Sequence, residues 1–455
     1  MEEMQEMQEK IKELIKEKKI GDLHKMLEEI NSADFPSLFE ELEEDEIVII
    51  YRLLSKEKAA EVFAELDSDV QEKLINVFTD KELKTVVNEL FMDDTVDLIE
   101  EMPSSVVKRI LKNIKPQDRK IINELLNFPE DSAGSIMTTE FVEFKENITI
   151  QEGFDIIKKT GLKKETVYNC YVVDNSRKLV GSVEVKEMLI SDRDIKISEI
   201  MEENPISILT SEDKEDVAKM FDKYNYMAIP VVDKENRLVG IVTIDDAIDV
   251  MQDENTEDFE KMAAMIPNEE TYFKTGVFTH AKNRIMWLLV LMLSSTFTGA
   301  IIEKYENAFA AIPILVAFIP MIMDTGGNCG SQSSTLIIRG LALDEIKISD
   351  IFKVIWKELR VAIIVGSTLA IVTGIRIYFQ YGKNYSGQIV QLSLVVGITL
   401  ILTAVIAKLV GGVLPMIAKK LKLDPAIMAA PLITTVVDMC SILVFFKCAV
   451  MIMGL

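Results

Sequence analysis

The residues of this 455-residue chain best suited to chemistry are polar groups set inside apolar runs. Asp438 has 13 uncharged residues before it and 8 after it. A carboxylate in a stretch long and apolar enough to cross a bilayer costs several kcal/mol unless it meets water or a cation. Thr434, Thr435, Asp438 and Ser441 fall at i, i+1, i+4 and i+7, which places them on one face of a helix. Lys408, a lone base in the preceding apolar stretch, is the alternative partner for Asp438. A second constellation, Pro320 to Thr335, follows a 17-residue uncharged run from Asn307 to Met323 and supplies Asp324, Asn328, three glycines, Gln332 and several hydroxyls. Polar, glycine-rich backbone at membrane depth survives only against protein or water. The run therefore reads either as a wall of an aqueous pathway or as a small-residue face for close helix packing. Asp324 favours the pathway, because packing alone gives no reason for an acid.

A third group of acids lies outside the apolar runs. Between Asp245 and Asp258 there are seven acids and no base: Asp245, Asp246, Asp249, Asp253, Glu254, Glu257 and Asp258. Like charges at i, i+3 and i+4 weaken a helix and make it a receptor for counterions. Hard divalent cations choose carboxylates, so this stretch is either a divalent-cation site or a solvated acidic face. Glu61, Asp93, Asp94 and Asp97 lie in an earlier helical region and read by default as solvated charge.

The chain must position these groups with two dissimilar halves. Residues 284–455 hold 14 Lys/Arg and 9 Asp/Glu, whereas residues 1–283 hold 36 and 65, a net charge of −29. So acidic a surface repels nucleic acid and concentrates cations. The four cysteines are scattered and suggest neither a zinc site nor a disulfide framework. The N-terminus is charged and helical in pattern, without the features of a cleavable signal peptide.

Residues 1–132 read as an all-α domain with apolar residues at three- and four-residue spacing. Residues 58–70 align with 94–106 without a gap, which suggests stacked helical hairpins in a small superhelix. From 133 the period changes. Tyr171 to Val185 matches Pro230 to Ile244 at an offset of 59, each copy a strand, a turn, a strand and a helix, with lead-ins Ile136-Met137 and Ile200-Met201. These residues resemble a tandem pair of CBS domains, at 133–198 and 199–254. A long connecting helix is expected over 245–275. Five membrane spans follow within 284–455: 285–302, 307–338 (broken at 324–331), 361–379, 389–417 and 426–454. The bases of loops 339–360 and 418–425 place those loops, and the acidic half with them, in the cytoplasm, and the C-terminus outside.

The run Gly326 to Ala342 and the run Pro431 to Asp438, together with the acidic helical domain, the paired CBS modules and the five spans, resemble the MgtE family of magnesium channels over nearly the whole chain. The resemblance implies a multi-domain α-helical protein of the cell membrane: a superhelical N domain, a CBS pair of α/β type, a connecting or plug helix and five transmembrane helices. It implies a homodimer in the lipid bilayer with a pore on the twofold axis, and no nucleic-acid partner or enzyme activity. Asp438 from each protomer would hold a hydrated Mg²⁺, with Asn328, Thr434 and Thr435 beside it and Asp324 as an added pore acid. Cytosolic Mg²⁺ would close the pore by bridging Asp93, Asp97, Asp246, Asp249, Glu254, Glu257 and Asp258, with Asp424 joining the connecting helix. Glu61 and Glu215 are secondary regulatory candidates, and ATP is a further expected ligand of the CBS pair. Asn225 stands where an acid is expected, and Ala430 where some relatives carry a polar pore residue. Two other readings remain open: a channel or carrier chiefly for Mn²⁺ or Co²⁺, and a membrane-anchored CBS nucleotide sensor that transports nothing.

Overall fold

The computed structural model describes residues 2–40, 42–268, 272–306, 312–383, 387–428 and 430–454. The chain divides into two compact units, Met1–Met251 and Gln252–Leu455. The first five residues of the expected second span, 307–311, and residues 269–271 of the expected connecting helix lie outside the described residues.

The first unit begins with short helices, from α1 (Glu2–Lys16) and α2 (Ile20–Glu29) through α3 (Phe35–Phe39). Then come α4 (Glu44–Leu53), α5 (Lys56–Ala64), α6 (Ser68–Val77), α7 (Asp80–Val87), α8 (Met92–Glu101), α9 (Ser104–Asn113) and α10 (Pro116–Leu125). From α4 onward a new helix starts every 12 residues. The 36-residue repeat therefore contains three helices, where the sequence suggested a two-helix hairpin. Start signals explain the short period. Glu43 with Glu46, and Thr79 with Glu82, form capping boxes. Pro116 stands at the first position of α10. The helices bury Phe35, Leu38, Phe63, Leu83 and Ile110 in one core.

Two small sheets follow. In the first, β1 (Val142–Lys145) pairs parallel with β2 (Asn169–Val173), which pairs antiparallel with β3 (Leu179–Glu184), and β3 with β4 (Glu202–Glu203). In the second, β5 (Ile208–Leu209) pairs parallel with β6 (Ala228–Val232), which pairs antiparallel with β7 (Leu238–Thr243). The helices between them are α11 (Ile150–Thr160), α12 (Val185–Ile190) and α13 (Lys214–Tyr224). The copies bind each other reciprocally. Leu179 N–H donates to Asn236 O at 2.9 Å, and Leu238 N–H donates to Arg177 O at 3.0 Å. Both turn residues, Arg177 and Asn236, have φ near +60° (61° and 62°). Met137 of the first lead-in packs on Gly240 of the second copy, and Met201 of the second on Gly181 of the first. Asn225 ends α13 in the left-handed conformation, φ 54°, a cap that Asn tolerates better than most residues. The helix α14 (Ile244–Met262) stops well before residue 275, and Ala264 has φ 56° just beyond it.

The second unit holds α15 (Val277–Lys304), α16 (Ile319–Ala342), α17 (Ile351–Tyr381), α18 (Ile389–Lys420) and α19 (Ala430–Met453). Among the described residues, four stretches are long and apolar enough to cross a membrane: 277–304, 348–381, 389–420 and 425–453. The remaining helix, α16, has 24 residues, about 36 Å at ~1.5 Å per residue, but carries too many polar groups to join them. It is also continuous, so the expected break at 324–331 does not occur. A helix satisfies its own backbone polar groups, and the glycines keep that advantage while serving as contact points. A Cβ on Gly330 would lie 2.6 Å from Ile433 Cγ2, and one on Gly327 2.3 Å from Thr434 Cγ2. Gly411 of α18 sits so close that a Cβ there would lie 2.2 Å from the Gly330 carbonyl oxygen. The packing role of the small residues is thus realised at Gly326, Gly327 and Gly330.

Because the obstacle at Gly411 is backbone, it cannot swing aside. Gly411→Leu is expected to destabilise the second unit by at least ~1–3 kcal/mol, seen as a lowered detergent-unfolding midpoint. Gly374→Leu, at a position with nothing within 4 Å of an added Cβ, is the neutral control.

Candidate functional site

The site in the second unit lies where α16 meets α19. On α16 the exposed residues include Asp324, Asn328, Gln332, Thr335 and Arg339, spaced by four, four, three and four, a single polar stripe. The opposite face buries Gly326, Cys329, Gly330 and Ser333. On α19, Thr434, Thr435 and Asp438 are half-buried and Ser441 is buried. The Thr434 hydroxyl donates to the carbonyls of Ala430 at 2.5 Å and Pro431 at 3.1 Å, and the Thr435 hydroxyl to that of Pro431 at 2.8 Å. With their hydrogens committed to the helix, both threonines present only lone pairs outward. Among the described residues, Asp438 Oδ1 is fully buried with no hydrogen-bond partner, as are Ser441 Oγ and Thr403 Oγ1. Lone pairs beside a carboxylate form a surface for cations or for the outward hydrogens of their water shells.

Lys408 does not neutralise Asp438 in any described contact. Its ammonium donates to Ser333 Oγ at 3.3 Å, and that hydroxyl donates to Glu358 Oε2 at 2.6 Å. Sequence reasoning placed Glu358 in a basic loop. The structure buries it in α17, and no periodicity signal distinguishes it from the charged residues around it.

The second candidate site lies in the first unit, around the start of α8. Asp93, Asp94 and Asp97 stand there with Asp246 of α14 and Glu165 of the loop after α11. Partial burial, and then neighbouring carboxylates, push Asp93, Asp94 and Asp246 up to about 7, and raise Asp97 in the same direction from a position that still reaches solvent. Burial and the charges of Asp93, Asp94, Asp245 and Asp246 push Glu165 up to about 9. Asp249 lies near enough to act on Asp97. One oxygen of Asp246 is engaged by Thr243, whose N–H donates at 3.3 Å and whose hydroxyl donates at 2.5 Å. Among the described residues, Asp93 Oδ1 and Glu165 Oε2 are fully buried without hydrogen-bond partners. Glu140 accepts from Met92 N–H at 3.0 Å, and its own carbonyl accepts from Glu165 N–H at 2.8 Å, which fixes that loop against α8. Among the described residues no three His, Cys, Asp or Glu side chains converge tightly enough to hold a bare metal ion. The donors suit a cation that keeps part of its water. Sequence reasoning missed Glu165, because its loop carries no acidic pattern.

The remaining candidates are held locally. Glu61 accepts from Ser32 Oγ at 2.9 Å, and Glu215 pairs with Lys219 at 2.7 Å. Glu254 and Asp258 lie on α14. Glu257 of α14 pairs with Lys261, which also pairs with Asp424 at 2.7 Å. Asp424 was expected to reach the connecting helix through a divalent ion. A lysine ammonium makes that link, with Asp424 also accepting from Ala426 N–H at 2.8 Å. Burial opposes the charge of Lys261, but its hydrogen bonds to Asp424 and Glu257 outweigh it and raise its pKa above the usual lysine range.

Helices long and apolar enough to cross a membrane, beside an acidic unit with two small sheets, define a multi-pass membrane protein. Family profiles match in the same order: the MgtE intracellular N domain over 30–131, CBS domains over 133–193 and 197–253, and the MgtE divalent cation transporter over 319–448. The chain belongs to the MgtE family: it is 32% identical over 442 residues to the magnesium transporter MgtE of Thermus thermophilus, covering 96% of this chain and 97% of that one. It is 31% identical over 436 residues to the magnesium transporter MgtE of Bacillus subtilis, covering 96% and 95%. Among solved structures it resembles the soluble part of a magnesium transporter, with TM-score 0.52 and 29% identity over 55% of this chain and 99% of that one. It also resembles the cytosolic domain of the Mg²⁺ channel MgtE in complex with ATP, with TM-score 0.50 and 32% identity over 53% and 98%.

The acid cluster makes stability depend on pH. Asp carboxyls titrate near ~3.9 when unfolded and at about 7 here. The folded state therefore binds more protons between those values, and stability falls as pH rises through the window. Without divalent ions, the melting temperature of the first unit within the whole chain is expected to be higher at pH 5 than at pH 8. Asp94→Asn should raise it at pH 8 and leave it little changed at pH 4.

Proposed function

We propose that the protein is a magnesium channel or transporter of the cell membrane, closed from inside by Mg²⁺. The observation that carries the transport reading is the near-full-length identity to magnesium transporters named MgtE, combined with the unpaired, buried carboxylate oxygen of Asp438. Mg²⁺ dehydrates reluctantly. A pore for it works best by holding the hydrated ion, and the acceptor-only threonines beside Asp438 suit the water shell. Five helices, α15 to α19, would span the membrane, with α16 shielded from lipid. Its exposed stripe at Asp324 and Asn328 supports a homodimer in which two copies face each other across an axial pore. Charge balance supports a cytoplasmic acidic unit and an external C-terminus. Inward Mg²⁺ movement gains twice ~2.3 kcal/mol per 100 mV. Asp438→Asn is expected to lower Mg²⁺ uptake into reconstituted vesicles by at least about tenfold. Unchanged uptake would remove Asp438 from the pathway. Mn²⁺ or Co²⁺ uptake undiminished by excess Mg²⁺ would favour a channel chiefly for those ions.

Gating would follow from the acid surplus. The carboxylates of Asp93, Asp94, Asp97, Asp246 and Asp249 repel one another when charged, and a partly hydrated Mg²⁺ would draw them together. Glu254, Glu257, Asp258 and Asp424 would form a second regulatory site at the end of α14, where an arriving ion must displace Lys261. Protease cleavage between 253 and 270 is expected to fall as Mg²⁺ rises through the millimolar range, and Lys261→Met should move that protection to lower Mg²⁺. ATP binding by the CBS pair is the further regulatory reading, supported by the solved relative named as an ATP complex.

A further inference from the structure

We propose that Glu358, Ser333 and Lys408 form a charge-balanced clamp that sets the rotation of α16, and so aims Asn328 and Asp324. This rests on the transport reading above and adds positioning residues to it.

The three groups come from three helices and are nearly sealed from solvent: Ser333 is 1% exposed, Lys408 4% and Glu358 8%. A buried ammonium or carboxylate left alone is strongly unfavourable. Here each is answered through one hydroxyl. Ser333 Oγ donates its single proton to Glu358 Oε2 at 2.6 Å and accepts from Lys408 Nζ at 3.3 Å. A hydroxyl both donates and accepts, so it can join the two charges. The backbone makes room for them: a Cβ on Gly412 would come within 3.3 Å of Glu358 Cγ, and Gly411 lets α18 approach the Gly330 carbonyl on α16.

The clamp grips the back of the pore helix. Ser333 is nine residues from Asp324 and five from Asn328, hence about 180° and about 140° around a helix of ~3.6 residues per turn. The face held by the clamp is buried, and the face carrying Asp324 and Asn328 is exposed. Apolar packing would hold α16 against its neighbours. Two opposite charges meeting on one hydroxyl select a single rotation and a single axial position. An unbalanced Lys408 would also place a positive charge behind a cation pathway, and an unbalanced Glu358 would draw α17 towards water.

The test is a charge-neutralisation cycle on the full chain in vesicles, read as the initial rate of Mg²⁺ uptake. Glu358→Gln and Lys408→Met should each lower uptake by at least about tenfold, and the double variant should recover to within about threefold of the native rate. A second reading is independent of flux: a cysteine replacing Asn328 in a chain with the four native cysteines changed to serine. Its modification by a charged thiol reagent should slow in each single variant and recover in the double. If a single variant cannot be purified as a monodisperse protein, Ser333→Ala keeps both charges and removes only the bridge. It should show the same slowed uptake and slowed labelling. Native uptake and labelling in the single variants and in Ser333→Ala would overturn the clamp, as would a double variant no better than the worse single. Absence of Mg²⁺ uptake by the unmodified chain would instead count against the transport reading.

Discussion

A carboxylate among apolar helices has to be answered by something. Asp438 is not answered by Lys408 in any described contact, because that ammonium is engaged by Ser333. It is not answered by the threonines beside it, because their hydroxyl hydrogens point back along their own helix. Among the described residues its Oδ1 has no hydrogen-bond partner. The rest of the second unit follows from that: glycines that draw α16 against α18 and α19, a polar stripe on the far side of α16, and an internal base supplied with its own acid.

The same electrostatic logic recurs in the first unit with a different outcome. There the acids act on one another, and burial raises their proton affinity towards neutrality. Such a cluster is strained when charged and relaxed when a cation or protons compensate it. At the end of α14 the relaxation is already supplied, because Lys261 sits between Glu257 and Asp424. The two acidic sites are therefore unequal. A cation arriving at the first would relieve repulsion, whereas one arriving at the second would have to compete with a tethered ammonium.

Much of this could be read directly from residue order. The 59-residue offset located both sheet pairs, and the apolar face of α19 located Asp438 among hydroxyls. The three-helix content of the 36-residue repeat was less accessible, since it rests on caps such as Glu43 and Thr79 that look like ordinary surface residues. The glycine run was read as a break because glycine and polar residues usually end helices. In the fold its backbone groups bond within α16 and the missing side chains admit neighbouring helices. Glu358, Glu165 and Lys261 were overlooked for a common reason. Each owes its importance to partners 25 or more residues away, or to burial that a charged neighbourhood conceals.

The exchange of methionines between the two sheet modules has a further consequence. Met137 fills the notch above Gly240 and Met201 the notch above Gly181, so neither module completes its own surface. Half of the pair, transplanted alone, would carry an empty socket and an unhoused plug. Oxidation of either thioether to its bulkier, polar sulfoxide would loosen both halves together, which makes the paired modules a single casualty of oxidative damage rather than two.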